Sequence, residues 1–133
     1  MKMSVGLTGN RSFNVKIRDF NVVTDLPAEK KGTNTGPTPS ELFVASFSTC
    51  VALFVVSYLR TAELDPAGLT VDVDWDFSQE RPSRIDRISM DISIPNARLG
   101  EREKAVLAAA KKCTVHNTLE NPPSVIDIKV KGK

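Results

Sequence analysis

Apolar residues alternate with polar ones toward both ends of the chain and merge into one uncharged run near its middle. Met3, Val5 and Leu7 alternate up to Gly9-Asn10, and Phe13, Val15 and Ile17 alternate beyond it. Period-two apolarity on both sides of a Gly-Asn pair predicts a β-hairpin. Phe20, Val22 and Val23 predict a third strand, and residues 26–38, LPAEKKGTNTGPT, are turn-rich and predict a loop.

A helix start follows. Thr38 suits the N-cap, Pro39 the first helical position, and Glu41 sits three residues after the cap, a capping box. The helix is expected to run to about Ala62. Leu42 to Leu59 carries no charge, just long enough to span a bilayer. Ser46, Ser48, Thr49 and Ser57 interrupt that run, and the rest of the chain has the pattern of soluble strands and helices. The run therefore predicts the buried centre of a globular assembly, with no membrane involved.

Leu69, Val71, Val73, Trp75 and Phe77 alternate with Thr70, Asp72, Asp74 and Asp76; Ile88, Met90, Ile92 and Ile94 alternate after SQERPS. This predicts a long hairpin with one buried and one wet face. A second helix is expected from about Glu101 to Cys113, acidic at its start and basic at Lys111 and Lys112, and SVIDIKV is expected as a last strand. The order is α+β in a single domain, residues 1–133. A helix apolar on all sides needs more cover than one small sheet offers, which predicts a homodimer.

Composition narrows the function. The chain is 41% hydrophobic and 26% charged with net charge +2, and no Lys/Arg block exceeds two in a row. Nucleic acid is thus not an expected partner. MKMSVGLTGNRS has no apolar signal core, so a cytoplasmic location is expected, with the two cysteines, Cys50 and Cys113, reduced at rest.

Phe43, Phe47, Cys50, Phe54 and Ser57 share one stripe of the first helix. By itself this makes Cys50 a small core hydrophobe. Cys113 changes the balance, because its spacing from Val106 and Ala110 turns it toward the core too. Two inward thiols from two helices permit a reversible disulfide if their Cα atoms come within about 7 Å. Cys113, at a helix C-terminus, is disfavoured as a thiolate. Cys50, in apolar surroundings, needs a cation, for which Arg11 and Arg18 are the candidates.

His116, the only histidine, follows Cys113 as Cys-x-x-His, and Cys50 would complete three zinc ligands. No fourth ligand for structural zinc is identifiable, and no metal or cofactor is expected. DVDWD fails as a calcium loop, with Phe77 and Ser83 where glycine and glutamate belong. KGTNTG follows no phosphate-loop pattern.

GPTPSELFVASFSTC resembles the opening of the long central helix in the osmotically inducible protein C / organic hydroperoxide resistance (OsmC/Ohr) family, ending at its reactive cysteine, and KKCTVHNTL resembles that family's second-cysteine segment. The element order matches over nearly the whole chain. The resemblance implies a thiol-dependent organic hydroperoxide reductase in an intertwined α+β homodimer, with Cys50 peroxidatic and Cys113 resolving. Arg11 best matches the family's thiolate-supporting arginine, with Arg18 the fallback. Dithiols, including lipoyl groups, would be the reductant, and Phe43, Phe47 and Phe54 would favour an organic peroxide. One departure stands out. The family's peroxidases carry an acid ten residues before the reactive cysteine, paired with the arginine. Here that position is Ser40, and Glu41, nine residues before Cys50, is turned about 180° away from it on a regular helix. The alternative is a non-enzymatic dimeric protein holding an apolar small molecule at its interface, with both cysteines as packing. Zinc-dependent hydrolysis ranks behind both.

Overall fold

The N-terminal alternation forms strands β1 (Ser4–Leu7), β2 (Phe13–Ile17) and β3 (Phe20–Thr24) in the computed structural model, which describes residues 1–133. They make an antiparallel sheet in the order β1-β2-β3, with Val5 opposite Val15 and Val15 opposite Val22. The Gly9-Asn10 turn is closed by the Thr8 N–H donating to the Ser12 carbonyl at 3.0 Å. The chain packs as two compact units, residues 1–45 and 46–133.

In the first unit the loop after β3 is organised by Asp25, a residue that its sequence context does not single out. Asp25 is 1% exposed. Its Oδ2 accepts from the hydroxyls of Thr33 and Thr35, both at 2.7 Å, and from their N–H groups at 3.2 and 3.1 Å; Oδ1 accepts from the Leu26 N–H at 2.7 Å. The hydroxyls of Thr33 and then Thr35 hold its carboxyl far below the usual carboxylate range, against the opposing effect of burial. Gly32 is required in this loop, because a Cβ there would collide with the Leu26 carbonyl oxygen.

Helix α1 (Pro39–Thr61) starts as its capping box dictates: the Thr38 N–H donates to Glu41 Oε2 at 2.6 Å, and the Glu41 N–H donates to Thr38 Oγ1 at 3.2 Å. It stops where Glu63 turns left-handed, φ 56°, and the Leu64 N–H donates to the Leu59 carbonyl at 2.8 Å. The Arg102 guanidinium satisfies the Ala62 carbonyl beyond the last turn, at 3.0 Å. By length and composition α1 could cross a membrane, with a mean hydropathy of 2.1 over its most apolar window.

In the second unit, Phe47, Val51, Val55 and Leu59 of α1 form the core with Val106, Ala110 and Cys113. The buried row thus follows i, i+4, i+8 spacing. Of the stripe expected from the sequence, Phe47 is buried, Cys50 and Phe54 lie half-buried beside it, and Phe43 and Ser57 are exposed. Against this row packs the hairpin β4 (Thr70–Phe77) and β5 (Ile85–Ser93), with Val71, Val73 and Trp75 opposite Ile92, Met90 and Ile88. Its aspartates are exposed, as the alternation requires.

The C-terminal part departs from expectation twice. The second helix, α2 (Glu103–Ala110), ends before Cys113, which instead caps a short third helix, α3 (Thr114–Glu120). Cysteine is not a preferred N-cap residue, so the composition gives no sign of a helix start there. The SVIDIKV segment forms no strand: residues 121–133 carry no helix or strand, and Val125, Ile126, Ile128 and Val130 are at least 76% exposed. A strand needs a partner edge for its N–H and C=O groups, and this segment pairs with none within the chain.

Candidate active site

The second unit brings its two cysteines together. Cys50 is half-buried in the middle of α1, Cys113 is fully buried at the N-cap of α3, and both are free thiols. The Cys113 thiol donates a hydrogen bond to the Cys50 sulfur. The first N–H groups of a helix have no partner within it. In α3 they are spent on sulfur: those of Thr114 and Val115 point at Cys50, and that of His116 donates to Cys113 Sγ at 3.4 Å.

This arrangement splits the two thiols. Burial alone pushes Cys50 up, but the hydrogen bond from Cys113 and those from the Val115 and Thr114 N–H groups outweigh it, leaving Cys50 below the ordinary thiol value. Burial pushes Cys113 up, and its hydrogen bond to Cys50 pushes it further, against the N–H groups of His116 and Val115. Cys50 is therefore the thiol inclined to ionise and Cys113 the one inclined to keep its proton. The sequence-based placing of Cys113 at a helix C-terminus is corrected: it stands at a helix start, and burial is what raises it. Main-chain N–H groups and a neighbouring thiol support the charge of Cys50 within this unit.

The arginines lie elsewhere in the chain. Arg11 is exposed in the β1–β2 turn. Arg18 adopts a left-handed φ of 55° between β2 and β3, with its guanidinium 5.1 Å from the centre of the Phe20 ring. Both belong to the 1–45 unit and both thiols to the 46–133 unit. Glu41 is occupied by its cap, and the Thr38 N–H, more than any cation, holds its carboxyl below the usual range.

His116 is tied to the site by its N–H on the Cys113 sulfur. Its ring stacks on Phe47, centroids 6.0 Å apart and planes 27° from parallel. Its Nε2 is 3.6 Å from Glu120 Oε1, and its Nδ1 is buried with no hydrogen-bond partner. No three His, Cys, Asp or Glu side chains gather so as to hold a metal ion, so Cys50, Cys113 and His116 do not form the three-ligand zinc set. The N–H donors of Thr114 and Val115 were invisible to a residue-type search, because they belong to the backbone of a helix that the hydrophobic pattern does not announce.

Residues 32–128 match the family model described as OsmC-like protein. Among solved structures, the chain is similar to a Psychrobacter arcticus protein named for osmotic stress induction and detoxification response (TM-score 0.81, 20% identity, 89% of this chain and 87% of that one). It is similar also to an OsmC-like protein from Mycoplasma pneumoniae (TM-score 0.76, 18% identity, 91% and 87% covered). A third is an organic hydroperoxide resistance protein from Legionella pneumophila (TM-score 0.67, 16% identity, 90% and 89% covered). At these identities the likeness is one of fold. No curated protein sequence matches the chain.

Proposed function

The chain belongs to the OsmC-like family, and from that premise we propose that it is a thiol-dependent hydroperoxide reductase acting on small organic hydroperoxides. The observation that carries this reading is the hydrogen bond from a fully buried, proton-retaining Cys113 to an ionisable Cys50. The name of the Legionella neighbour supports the substrate class.

In this mechanism the Cys50 thiolate attacks one peroxide oxygen, the O–O bond breaks, and the alkoxide leaves and takes up a proton. Cys50 is left as a sulfenic acid. The Cys113 sulfur then attacks the Cys50 sulfur, the S–O bond breaks, and water leaves as the disulfide forms. An external dithiol, lipoyl groups included, reduces the disulfide and becomes a disulfide itself. Arg11 is the proposed support for thiolate and alkoxide, with Arg18 second because its guanidinium already covers Phe20. Phe43, Phe47 and Phe54 are the proposed apolar lining. The proposed assembly is a homodimer, supported by Leu53, 66% exposed on α1, and by the uncovered C-terminal segment; the proposed location is the cytoplasm.

The test is stoichiometric. One equivalent of tert-butyl hydroperoxide should remove two hydrogens from the reduced protein by intact mass, and dihydrolipoamide should restore them. A Cys50→Ser protein that consumes peroxide at the wild-type rate would end the proposal. Absence of any turnover in the wild type would favour an apolar-ligand binding protein.

A further inference from the structure

The C-terminal segment carries the pattern of a strand and has no strand beside it. Ile126, Ile128 and Val130 alternate with Asp127, Lys129 and Lys131. Asp127 and Lys129 already share one side, with Lys129 Nζ 3.4 Å from Asp127 Oδ2, as residues two apart do in extended chain. The alternation puts Ile126, Ile128 and Val130 on the other side, all at least 78% exposed, so none of them is seated on its own chain.

The second unit holds a place of matching shape. Strand β5 pairs with β4 along one edge and with no strand along the other, which leaves a row of N–H and C=O groups without ladder partners. Beside that edge lies a cavity of about 280 Å³, walled by Met90, Ile92 and Ile94 of β5 and by Val106 and Leu107 of α2, with Glu103 its one charged residue. A strand added at β5 with its isoleucines inward lays them over this cavity. The open edge of β4 borders a smaller cavity, about 200 Å³, walled in part by Ser48 and Thr49.

Charge matches on the opposite face. Asp76 is paired with Arg87 at 2.7 Å, but Asp72 stands directly opposite Asp91. Like charges directly opposite each other destabilise a ladder, and the chain sets no cation of its own on this pair. The parity that turns Ile126, Ile128 and Val130 inward turns Lys129 and Lys131 to the acidic side. The strands of the first unit carry Lys16 and no acid, so they do not complement these lysines.

We propose that residues 124–131 of one copy add as a third strand to the free edge of β5 in a second copy, an inference that deepens the proposed homodimer and rests on it. Main-chain hydrogen bonds hold the added strand, the isoleucines fill the cavity, and the lysines beside Asp72 and Asp91 fix which face turns outward. Two-fold symmetry makes the exchange reciprocal, so one dimer closes both β5 edges.

The experiment compares the full-length wild type with Ile128→Asp, a change to a side chain that the single chain leaves exposed. Ile128→Asp should weaken self-association on the order of tenfold or more, as loss of a buried isoleucine does, and leave the circular dichroism of the hairpins in place. Amides of residues 124–131 should exchange with deuterium on the order of tenfold or more slowly in the wild-type dimer than in the variant. Heavy-isotope and light copies are then refolded together and coupled with a carbodiimide, which joins lysines to neighbouring carboxylates. Heavy–light peptides linking Lys129 or Lys131 to Asp72 or Asp91 are expected. A dimer whose residues 124–131 exchange freely overturns the strand addition and leaves the homodimer standing. Hairpin links found only within one isotope overturn the second copy as donor. A wild type that is a single chain at every concentration removes the homodimer and this inference together.

Discussion

The Cys113 thiol donates a hydrogen bond to the Cys50 sulfur, and the two stand on opposite sides of the ordinary thiol pKa. The donor favours the Cys50 thiolate, so removing it must raise the Cys50 pKa. A hydrogen bond to a charged group contributes about 1.5–3 kcal/mol, so Cys113→Ala should lower the thiolate fraction near neutral pH by on the order of tenfold or more. Cys113→Ser keeps a donor and should lose far less. The measurement is the pH profile of Cys50 alkylation by iodoacetamide. Identical profiles in wild type and Cys113→Ala would mean that the Thr114 and Val115 N–H groups hold the thiolate unaided.

Glu41 is committed to its cap, and this separates two roles a carboxylate could have near the start of α1. Thr38→Ala should cost about 1 kcal/mol in urea unfolding. Glu41→Gln, whose amide oxygen still accepts from the Thr38 N–H, should leave peroxide turnover within twofold of wild type, on the reading of Glu41 as a cap alone. A loss of about a hundredfold would instead assign Glu41 to the arginine that supports the thiolate, since general acid–base and charge partners have effects of that order.

What the sequence disclosed depended on whether a pattern of side chains or of backbone groups did the work. Both hairpins and the capped helix were legible because alternation and the Thr38–Glu41 spacing are side-chain signals. Cys113 does face the core with Val106 and Ala110, but the helix whose spacing pointed it there ends at Ala110. Helix α3 was not legible, for it is seven residues long, too short for periodicity to declare, and is capped by a cysteine. The support of Cys50 by N–H groups was hidden with it. The Asp25 lock was hidden for another reason: its partners, Thr33 and Thr35, are ordinary loop residues until the chain folds back on the carboxylate.

That lock gives a pH dependence with a definite sign. Asp25 is depressed in the folded state relative to the unfolded chain, so its contribution is complete above the unfolded carboxylate pKa and is lost as pH falls through and below it. Asp25→Asn replaces one acceptor oxygen with a donor facing donors. It should lower the thermal midpoint at neutral pH more than Asp72→Asn on the exposed face of β4, and flatten the acid limb of the stability curve. Melting both variants from neutral pH down to about pH 3, below the ordinary aspartate pKa, checks this. Parallel acid limbs for wild type and Asp25→Asn would show that the carboxylate does not carry the acid sensitivity.

The proposed homodimer rests on apolar surface that the chain does not cover. Leu53 is 66% exposed on α1, while Val51 and Val55, two residues to either side, are 5% and 0% exposed. Burying one such leucine contributes about 1.5–3 kcal/mol, and a two-fold interface counts every contact twice. Light scattering on the eluted protein should therefore give twice the chain mass. Leu53→Glu should shift the population toward the single chain at micromolar concentration, because the dimer would bring two buried carboxylates together. The hairpins should keep their circular dichroism, since Leu53 takes no part in the buried cluster of the second unit. A wild-type protein that elutes as a single chain at high concentration would remove the dimer, and one that stays in solution only with detergent would point to a bilayer around α1.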